Sequence, residues 1–251
     1  MADLTGRTAI VTGGNSGLGL GMARGLGRAG AAVAIWSRTP GRNAEAVAAL
    51  EAEGIEASSV ACDTTDEAAV DSAMTATLAR HGRVDAFFAN AGIGDDRPFI
   101  DTSLDDWRRV LRTNLEGTFL TTRAAARYFV DRGEGGSMVV VSSTVARYGA
   151  AGQVAYAVSK HGLVGLGRTL AVELARHRVR VNVLVPGWTV TDLNTHLREN
   201  EAFMQATRLR TPVRRWAEPH EFEEVAAFLA DPSQTFHTGN EVVVDGGYTI
   251  F

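Results

Sequence analysis

The sequence predicts one doubly wound α/β domain with about seven parallel strands and helices on both faces. Short runs of β-branched and apolar residues alternate along the chain with longer stretches whose apolar residues recur at helical spacing. The strand-like runs are apolar almost throughout, as expected for a parallel sheet that is buried on both faces. Alternating strands and helices form right-handed βαβ units, and 251 residues fit a single domain of this class.

Seven runs are predicted as strands, and three long stretches between them as helices. The strands are residues 8–12, 32–36, 57–61, 84–88, 137–141, 179–185 and 241–244, and the helical patterns cover 42–53, 66–81 and 155–177. Residues 189–215 break the alternation and contain no clear strand, so we expect a lid over the substrate there. No linker, repeat or low-complexity run divides the chain, which predicts one domain over 1–251.

Composition and charge argue against several classes of protein. The net charge of −4 lacks the basic excess of a nucleic-acid-binding domain. Cys62 is the only cysteine, so no intrachain disulfide forms, and the six histidines show no paired spacing that would predict a metal site. No stretch approaches the ~20 apolar residues of a membrane span, and the N-terminal residues do not read as a signal peptide. We therefore expect a soluble, cytoplasmic protein without nucleic-acid or membrane partners.

A glycine-rich turn, Thr12-Gly13-Gly14-Asn15-Ser16-Gly17-Leu18-Gly19, follows the first predicted strand and leads into a helical pattern. Glycines let the backbone turn sharply, and the next helix offers unpaired N–H groups to a phosphate. The spacing is Gly-x-x-x-Gly-x-Gly, unlike the usual dinucleotide fingerprint, and the Gly-Lys-Ser/Thr ending of a P-loop is missing. The turn indicates dinucleotide binding, with a purely structural turn as the alternative.

The end of the second strand bears on the choice of cofactor. It reads Trp36-Ser37-Arg38 and lacks the acidic residue that binds the ribose hydroxyls of NAD. The planar guanidinium of Arg38 can pair with the 2′-phosphate of NADP. This favours NADP(H), although Ser16 is neutral where a second basic residue would strengthen the case. NAD(H) stays possible, because Arg38 can also stack on adenine or lie in solvent.

Tyr156 and Lys160 are four residues apart in a helical pattern, which puts both side chains on one helix face. A phenol with a pKa near 10 is a poor base at neutral pH, and a nearby ammonium lowers that pKa. The pair is therefore suited to proton transfer, with a packed tyrosine and a solvent-reaching lysine as the alternative. Ser143 at the end of the fifth strand is the candidate hydroxyl beside them, and Ser142 competes with it.

These features and five further motifs resemble the short-chain dehydrogenase/reductase family in its classical, single-domain Rossmann-type form. The further motifs are Asp63 after the third strand, Asn90-Ala91-Gly92, Asn114, Pro186-Gly187 and Val244-Asp245-Gly246-Gly247, and the resemblance extends over residues 6–247. It implies hydride transfer between a nicotinamide cofactor and a carbonyl or secondary alcohol carbon. Within the family the chain is similar to bacterial 3-oxoacyl-carrier-protein reductases and to sugar and sugar-acid dehydrogenases, which implies a 3-oxoacyl thioester, sugar or sugar acid as substrate.

The resemblance also implies roles for the matching positions. Tyr156 acts as general acid and base, Lys160 lowers the pKa of Tyr156 and binds the nicotinamide ribose, Ser143 donates to the substrate oxygen, and Asn114 holds a water between Lys160 and solvent. Besides Tyr156 and Lys160, the expected cofactor contacts are Gly13, Asn15, Ser16, Gly17, Leu18, Gly19, Ser37, Arg38, Cys62, Asp63, Thr64, Asn90, Ala91, Gly92, Pro186, Gly187, Thr189 and Thr191. The expected substrate contacts are Ser143, Val145, Gln153, Tyr156 and Trp188, with Ile93, Tyr148 and Leu193 as further candidates.

Assembly and the predicted lid leave alternatives open. Members of the family commonly form homotetramers through the helices that carry Asn114 and Tyr156, and the apolar ending 247–251 fits a buried interface. The predicted lid carries Arg198, Arg208, Arg210, Arg214 and Arg215, which either recognise an anionic substrate or form a solvated flap. The alternative function is a regulator that binds a dinucleotide without turnover, which has no need of Ser143, Tyr156 and Lys160 together.

Overall fold

The computed structural model describes residues 2–251 and contains one seven-stranded sheet in the order β3-β2-β1-β4-β5-β6-β7. All neighbouring strands are parallel. The strands are β1 (Thr8–Thr12), β2 (Ala32–Ser37), β3 (Ala57–Ala61), β4 (Ala86–Ala89), β5 (Gly136–Val141), β6 (Val179–Pro186) and β7 (Glu241–Val244). The strand order reverses between β1 and β4, and in such sheets ligands bind in the crevice at the carboxyl ends there. The predicted fold class is confirmed.

The helices cover both faces of the sheet. They are α1 (Gly17–Arg28), α2 (Pro40–Ala52), α3 (Glu67–His81), α4 (Leu104–Leu111), α5 (Gly117–Arg132), α6 (Val154–Leu174), α7 (Thr195–Arg198), α8 (Glu201–Arg210) and α9 (Glu223–Ala230). Apolar residues of α1, α2 and α9 pack on one face, and those of α3, α5 and α6 pack on the other. None of the helices within 2–251 combines the length and the apolar character needed to cross a membrane.

The strands supply apolar side chains to both layers of the core, which explains why they read as continuous apolar runs. Within β1, Val11 packs in the layer beneath α1, whereas Ile10 packs in the layer beneath α3. In β2, Ile35 and Trp36 divide between the same two layers. The indole N–H of Trp36 donates to Thr77 Oγ1 of α3 at 2.9 Å, so the one polar atom of this buried ring is paired.

Strand and helix bounds differ from the predicted ones by a few residues. Among the strands the largest difference is at β4, which begins at Ala86 rather than residue 84, because the backbone N–H of Val84 donates to the hydroxyl of Tyr128. The predicted helix over 155–177 ends as an α-helix at Leu174 and closes with a 3₁₀ turn. Residues 189–215 contain α7 and α8, and Thr189 forms an isolated parallel bridge with Ala217.

A buried carboxylate anchors the amino edge of the sheet, on the side away from the crevice. Asp85 accepts hydrogen bonds from the Thr8 N–H at 3.0 Å and from Arg83 at 2.7 and 2.9 Å, and Arg132 lies 3.2 Å away. Burial by itself raises the pKa of Asp85, but the hydrogen bonds from Arg83 and Thr8 outweigh it and leave the pKa below its ordinary value. The charged form of Asp85 is therefore the form that stabilises the fold.

We expect Asp85→Asn to lower the free energy of unfolding at pH 7 by about 3 to 5 kcal/mol, because it breaks a buried charge network and leaves cations without their partner. A carboxyl with a lowered folded-state pKa contributes stability above its unfolded pKa of about 3.9 and loses it as the pH falls through the folded-state pKa. Urea unfolding of both proteins at several pH values measures this. A difference between wild type and variant that does not shrink on acidification would contradict the assignment.

Candidate active site

A cavity of about 420 Å³ lies at the carboxyl ends of the strands, where the topology predicts a ligand. Every position that we expected to contact the cofactor lines it, from Gly13 in the turn after β1 to Thr191 beyond β6. The expected substrate contacts also line it: Ser143, Val145, Gln153, Tyr156 and Trp188, together with Ile93, Tyr148 and Leu193. Asn114, the fourth expected catalytic residue, does not line the cavity, because it is fully buried behind the cavity wall.

The glycine turn leaves a helix end free for an anion. Gly13 and Gly17 have φ values of 64° and 49°, a region that favours glycine. At Gly19 an added Cβ would lie 2.2 Å from the carbonyl oxygen of Gly13, so this position admits no side chain. The N-cap residue of α1, Ser16, makes no side-chain capping hydrogen bond. The first residues of α1, Gly17, Leu18 and Gly19, thus line the cavity at a helix end that Ser16 does not cap, as a phosphate-binding helix end requires.

Three asparagines hold this turn in place. The Asn90 amide donates to the Thr12 carbonyl at 2.9 Å, and the backbone N–H groups of Asn90 and Ala91 donate to Thr12 Oγ1. Asn15 donates to Asn43 of α2 at 2.9 Å, and Asn43 donates to the Ser37 carbonyl at 3.0 Å. Sequence reasoning missed Asn43, whose place within a helical pattern carries no signal of this contact.

Basic side chains gather where β2 ends. Arg38 lines the cavity as predicted, and so does Arg42, which the sequence analysis did not single out although it follows Arg38 at helical spacing. A guanidinium nitrogen of Arg42 lies 3.2 Å from Asp192 Oδ2. Asp63 borders the same region and accepts from Thr65, whose backbone hydrogen bond is the main cause of a lowered Asp63 pKa. The two guanidinium groups make this end suited to a phosphate, although Asp192 already pairs with Arg42.

Cys62 borders the cavity but belongs to the core. Its side chain is 1% exposed, and burial raises the pKa of the thiol to about 11, with Asp63 and Asp66 adding to the effect. A thiol with such a pKa is protonated at neutral pH and is a weak nucleophile. Cys62 therefore contributes packing to this wall.

The end of β5 separates the two serines that competed in the sequence. The Ser142 hydroxyl donates to the Lys160 backbone carbonyl at 2.8 Å, which fixes α6 against the strand. Ser143 is only partly buried, and its hydroxyl accepts from the Val145 N–H at 3.3 Å. Ser143 is thus the residue whose hydroxyl stays available beside Tyr156.

Lys160 is almost completely buried. Its ammonium donates to the Val141 carbonyl at 2.9 Å and lies 5.5 Å from the centre of the Tyr156 ring. Burial lowers the pKa of Lys160 to about 8, because the charged form loses its hydration. The group therefore titrates within the range in which enzymes are assayed.

We expected Lys160 to lower the pKa of Tyr156, but in this arrangement that pKa is raised. Burial raises the pKa of Tyr156; the neighbouring Ser143 hydroxyl lowers it, and the Asp96 carboxylate raises it further. The lysine is itself desolvated and directs its ammonium to Val141, so desolvation of the phenol dominates. Tyr156 is consequently held in its protonated form.

Asn114 lies in a π-helical turn, Arg112–Glu116, a feature common at functional sites. Its side-chain oxygen accepts from the Ile93 N–H at 2.8 Å, and its amide donates to the Ile93 carbonyl and to Ser159 Oγ, both at 3.0 Å. Asn114 thus holds the loop after β4 against α6. A Cβ added to Gly92 would lie 3.2 Å from Asn114 Oδ1 and 3.6 Å from Lys160 Nζ, so these groups converge behind Gly92.

Two carboxylates that the sequence analysis did not single out lie at the opposite end of the cavity. Asp95 and Asp96 follow β4 and line the wall near Tyr156. Asp96 accepts from Gln153 Nε2 at 2.9 Å and contacts His196 Nε2 of α7 at 2.7 Å. Asp96 thereby joins the loop after β4, the start of α6 and the predicted lid. Adjacent aspartates in a loop give no sequence signal of these contacts.

The predicted lid arginines do not line the cavity; within residues 2–251 the arginines on its wall are Arg38 and Arg42. Arg210 lies over the rings of Tyr148 and Tyr248, with distances of 4.9 and 4.4 Å to their centres. Arg215 pairs with Glu221 at 2.7 Å. Recognition of an anionic substrate by the lid arginines is therefore not what this arrangement provides.

Comparison with known proteins agrees with the site geometry and the topology, and it extends over nearly the whole chain. A family model described as enoyl-(acyl carrier protein) reductase matches residues 13–249. The chain belongs to the short-chain dehydrogenase/reductase family. The 3-oxoacyl-acyl-carrier-protein reductase of Chlamydia pneumoniae is 35% identical over 247 residues, with 98% of each chain covered. The gluconate 5-dehydrogenase of Gluconobacter oxydans is 34% identical, with 99% of this chain and 96% of the relative covered.

Solved structures of short-chain dehydrogenases extend the likeness to three dimensions. The gluconate 5-dehydrogenase of Burkholderia cenocepacia, in complex with NADP and tartrate, superimposes with a TM-score of 0.94 at 34% identity, over 99% of this chain and 97% of that one. These relatives place the chain among NAD(P)-dependent oxidoreductases.

Proposed function

We propose that this chain transfers a hydride between NADP(H) and the carbon of a carbonyl or secondary alcohol. The observation that carries the proposal is that Ser143, Tyr156 and Lys160 share the wall of one cavity with a free helix end and two arginines. The catalytic trio provides proton transfer, and the opposite end provides phosphate binding. A regulator that only binds the cofactor would have no use for the trio.

The residues present fit a dinucleotide phosphate cofactor. The turn at Gly13 to Gly19 and the N-terminus of α1 would hold the diphosphate, because backbone N–H groups there lack a side-chain cap. Arg38 and Arg42 would pair with a 2′-phosphate, and no acidic residue at the end of β2 opposes it. A similar solved structure contains NADP. When bound, the cofactor supplies or accepts the hydride.

Tyr156 would serve as the proton donor when a carbonyl is reduced. Its raised pKa keeps the phenol protonated at neutral pH, which suits a general acid. The Ser143 hydroxyl would donate to the same oxygen, so that developing negative charge meets two donors. Lys160 would hold the ribose and exchange protons near its pKa of about 8. Asn114 would act through the position of Ile93 and by holding a water beside Lys160.

The substrate would enter between the loop after β4 and the segment 189–215, which we propose as a lid. Relatives are named for 3-oxoacyl thioesters and for gluconate, and both classes contain the required carbonyl or secondary alcohol. We also propose a homotetramer that works in the cytoplasm. In support, Ile250 and Phe251 at the C-terminus are 90% and 70% exposed in the single chain, and apolar surface of this kind favours an interface.

The test is cofactor turnover. Absorbance of NADPH and NADH is followed separately with a panel of small ketones, 3-oxoacyl thioesters and keto sugar acids, and the reverse reaction with the corresponding alcohols. We expect NADPH to be oxidised faster than NADH at equal concentration. Binding of both cofactors without turnover of any panel member in either direction would favour the regulator, and absence of binding would refute the assigned cofactor site.

Arg38→Leu tests the cofactor preference. Loss of a charged hydrogen bond to a phosphate costs about 1.5 to 3 kcal/mol, so we expect the Kd for NADPH to rise about 10- to 100-fold and the Kd for NADH to change little. Fluorescence titration measures both. Arg80→Leu is the control, since Arg80 is an exposed arginine at the end of α3, away from the cavity. Equal weakening for both cofactors would contradict a contact with the 2′-phosphate.

A further inference from the structure

The substrate end of the cavity has a negative charge beside the reacting tyrosine. Asp96 lines this end, and no lysine or arginine of the described chain pairs with it; its charged contact is His196, which carries charge only when protonated. Asp95, its neighbour on the wall, lies 3.7 Å from Arg109 and is partly compensated. The rise that Asp96 causes in the pKa of Tyr156 shows that its field reaches the phenol.

Positive charge is directed away from this end. Arg97, next in sequence, pairs with Asp106 at 2.7 Å instead of with Asp96. Arg210 is held against the rings of Tyr148 and Tyr248. Apart from Arg38 and Arg42 near the end of β2, Lys160 is the remaining lysine or arginine on the wall within residues 2–251, and it is buried and bonded to Val141. A carboxylate on the substrate would therefore face Asp96 with no arginine of the predicted lid to compensate it.

Asp96 is held rigidly and keeps capacity for further hydrogen bonds. One carboxylate oxygen accepts from Gln153 at 2.9 Å, and the other contacts His196 at 2.7 Å. The backbone N–H of Arg97 donates to the Gly152 carbonyl at 2.8 Å, which fixes the loop itself. A carboxylate offers about four lone-pair sites, so roughly two remain to accept hydroxyl groups. Hydrogen bonds from hydroxyls to a carboxylate are short and strong.

The same end also offers aromatic surface. Trp188 stacks on Trp216, with 5.0 Å between ring centres, and lines the cavity together with Tyr148. Fixed aromatic faces pack against the C–H side of a ligand, while polar groups fix its orientation. An acceptor carboxylate opposite such faces matches a carbon chain or ring that carries several hydroxyl groups.

We propose that the substrate is an uncharged polyhydroxylated alcohol or its ketone, and that Asp96 is the residue that selects it over carboxylate-bearing analogues. This inference rests on the proposed function. In the oxidation, the C–H bond of a secondary alcohol breaks with its electron pair passing to NADP⁺ as hydride, and the O–H proton leaves through Tyr156. The alcohol becomes a ketone, NADP⁺ becomes NADPH, and one proton reaches solvent. A neighbouring hydroxyl of the substrate donates to Asp96.

Matched pairs of an alditol and its aldonate test the charge selection, because the two differ only in a terminal CH₂OH or carboxylate. We would measure kcat/KM with NADP⁺ for D-glucitol and D-gluconate, D-mannitol and D-mannonate, and xylitol and D-xylonate. We expect the best alditol to exceed its aldonate at least tenfold. In Asp96→Asn, we expect this ratio to fall about tenfold, chiefly through a lower KM for the aldonate.

Two further variants and a pH profile test whether the charge of Asp96, and not only its structural contacts, selects the substrate. Asp101→Asn, an exposed carboxylate on the same connection, should leave the ratio unchanged. His196→Gln keeps a hydrogen-bond donor toward Asp96 but cannot be charged, and it should preserve the preference for the alditol. In Asp96→Asn the acidic limb of the pH–rate profile for alditol oxidation should move to lower pH, because Tyr156 accepts the proton in this direction and Asp96 raises its pKa. Unchanged melting temperatures would show that the variants fold.

An aldonate that reacts as well as its alditol in the wild type, or an Asp96→Asn ratio equal to that of wild type, would overturn the inference. Reduction of small ketones by NADPH tests the proposed function independently. If wild type reduces ketones and Tyr156→Phe does not, while alditols neither react nor compete with the ketone, the proposed function stands and the substrate class is refuted. If no ketone is reduced and no cofactor binds, the proposed function itself fails.

Discussion

Tyr156→Phe is expected to lower kcat by about 100- to 10,000-fold, the range that a positioned general acid or base contributes. The substitution removes one oxygen atom and leaves the ring, so the packing of α6 and the cavity wall stay intact. We therefore expect the Kd for NADPH to stay within twofold of wild type. Steady-state oxidation of NADPH with the best ketone gives kcat, and fluorescence titration gives the Kd.

Tyr128→Phe is the matched control for this experiment. The Tyr128 hydroxyl accepts from the Val84 N–H at 3.2 Å at the amino edge of the sheet, away from the cavity. Losing it should leave kcat unchanged. If Tyr156→Phe kept more than a tenth of the wild-type kcat, another group would have to deliver the proton, and the Ser143 hydroxyl beside it would be the first to examine.

The fold was predictable because its determinants are local or periodic. The composition of the apolar runs at β1 to β7 predicts that they are buried strands, because both faces of a parallel sheet are covered. The glycine turn was also predictable from the sequence. At Gly19 no other residue fits, because an added Cβ would lie 2.2 Å from the Gly13 carbonyl oxygen. Residues that follow strand ends, such as Arg38 and Asn90, were placed at the cavity by topology alone.

What the sequence left out depends on burial and on contacts between distant segments. The direction of the Tyr156 pKa follows from how much protein surrounds the phenol, and helical spacing to Lys160 does not report that. Asp96 meets Gln153 and His196 only when three separate connections converge. The sequence left open whether the arginines of the predicted lid bind substrate or lie in solvent, and it did not show that Arg210 packs on Tyr148 and Tyr248, one before α6 and one after β7.

Lys160→Met should make the protein more stable at neutral pH while impairing its activity. Burial lowers the pKa of Lys160 to about 8 from 10.5, a decrease of about 2.5 that corresponds to about 3 kcal/mol against the folded state. Methionine keeps an unbranched apolar side chain and carries no charge. Against this gain, the Val141 carbonyl loses its donor, which costs about 1 to 2 kcal/mol. We expect a net gain of about 1 to 2 kcal/mol at pH 7.

The sign of the pH dependence follows from which state binds the proton. Between about pH 8 and 10.5 the unfolded chain holds the Lys160 proton and the folded chain does not, so wild-type stability rises with pH there. The advantage of Lys160→Met is therefore largest below pH 8, shrinks as the pH rises, and is reversed by about pH 10.5, where only the lost Val141 contact remains. Urea unfolding at pH 7 and at pH 10 measures it. A variant less stable than wild type at pH 7 would contradict a desolvation penalty at this position.

The sequence makes the underlying pKa directly measurable, because Lys160 is its only lysine. Protein labelled with ¹³C at lysine Cε gives one NMR signal, whose shift against pH reports Lys160 without assignment. A midpoint near 8 would support both the stabilising effect of Lys160→Met and a lysine able to exchange protons during turnover. A midpoint near 10.5 would mean that the buried ammonium is fully compensated; the variant should then lose the Val141 contact without gain and be less stable at every pH below that value.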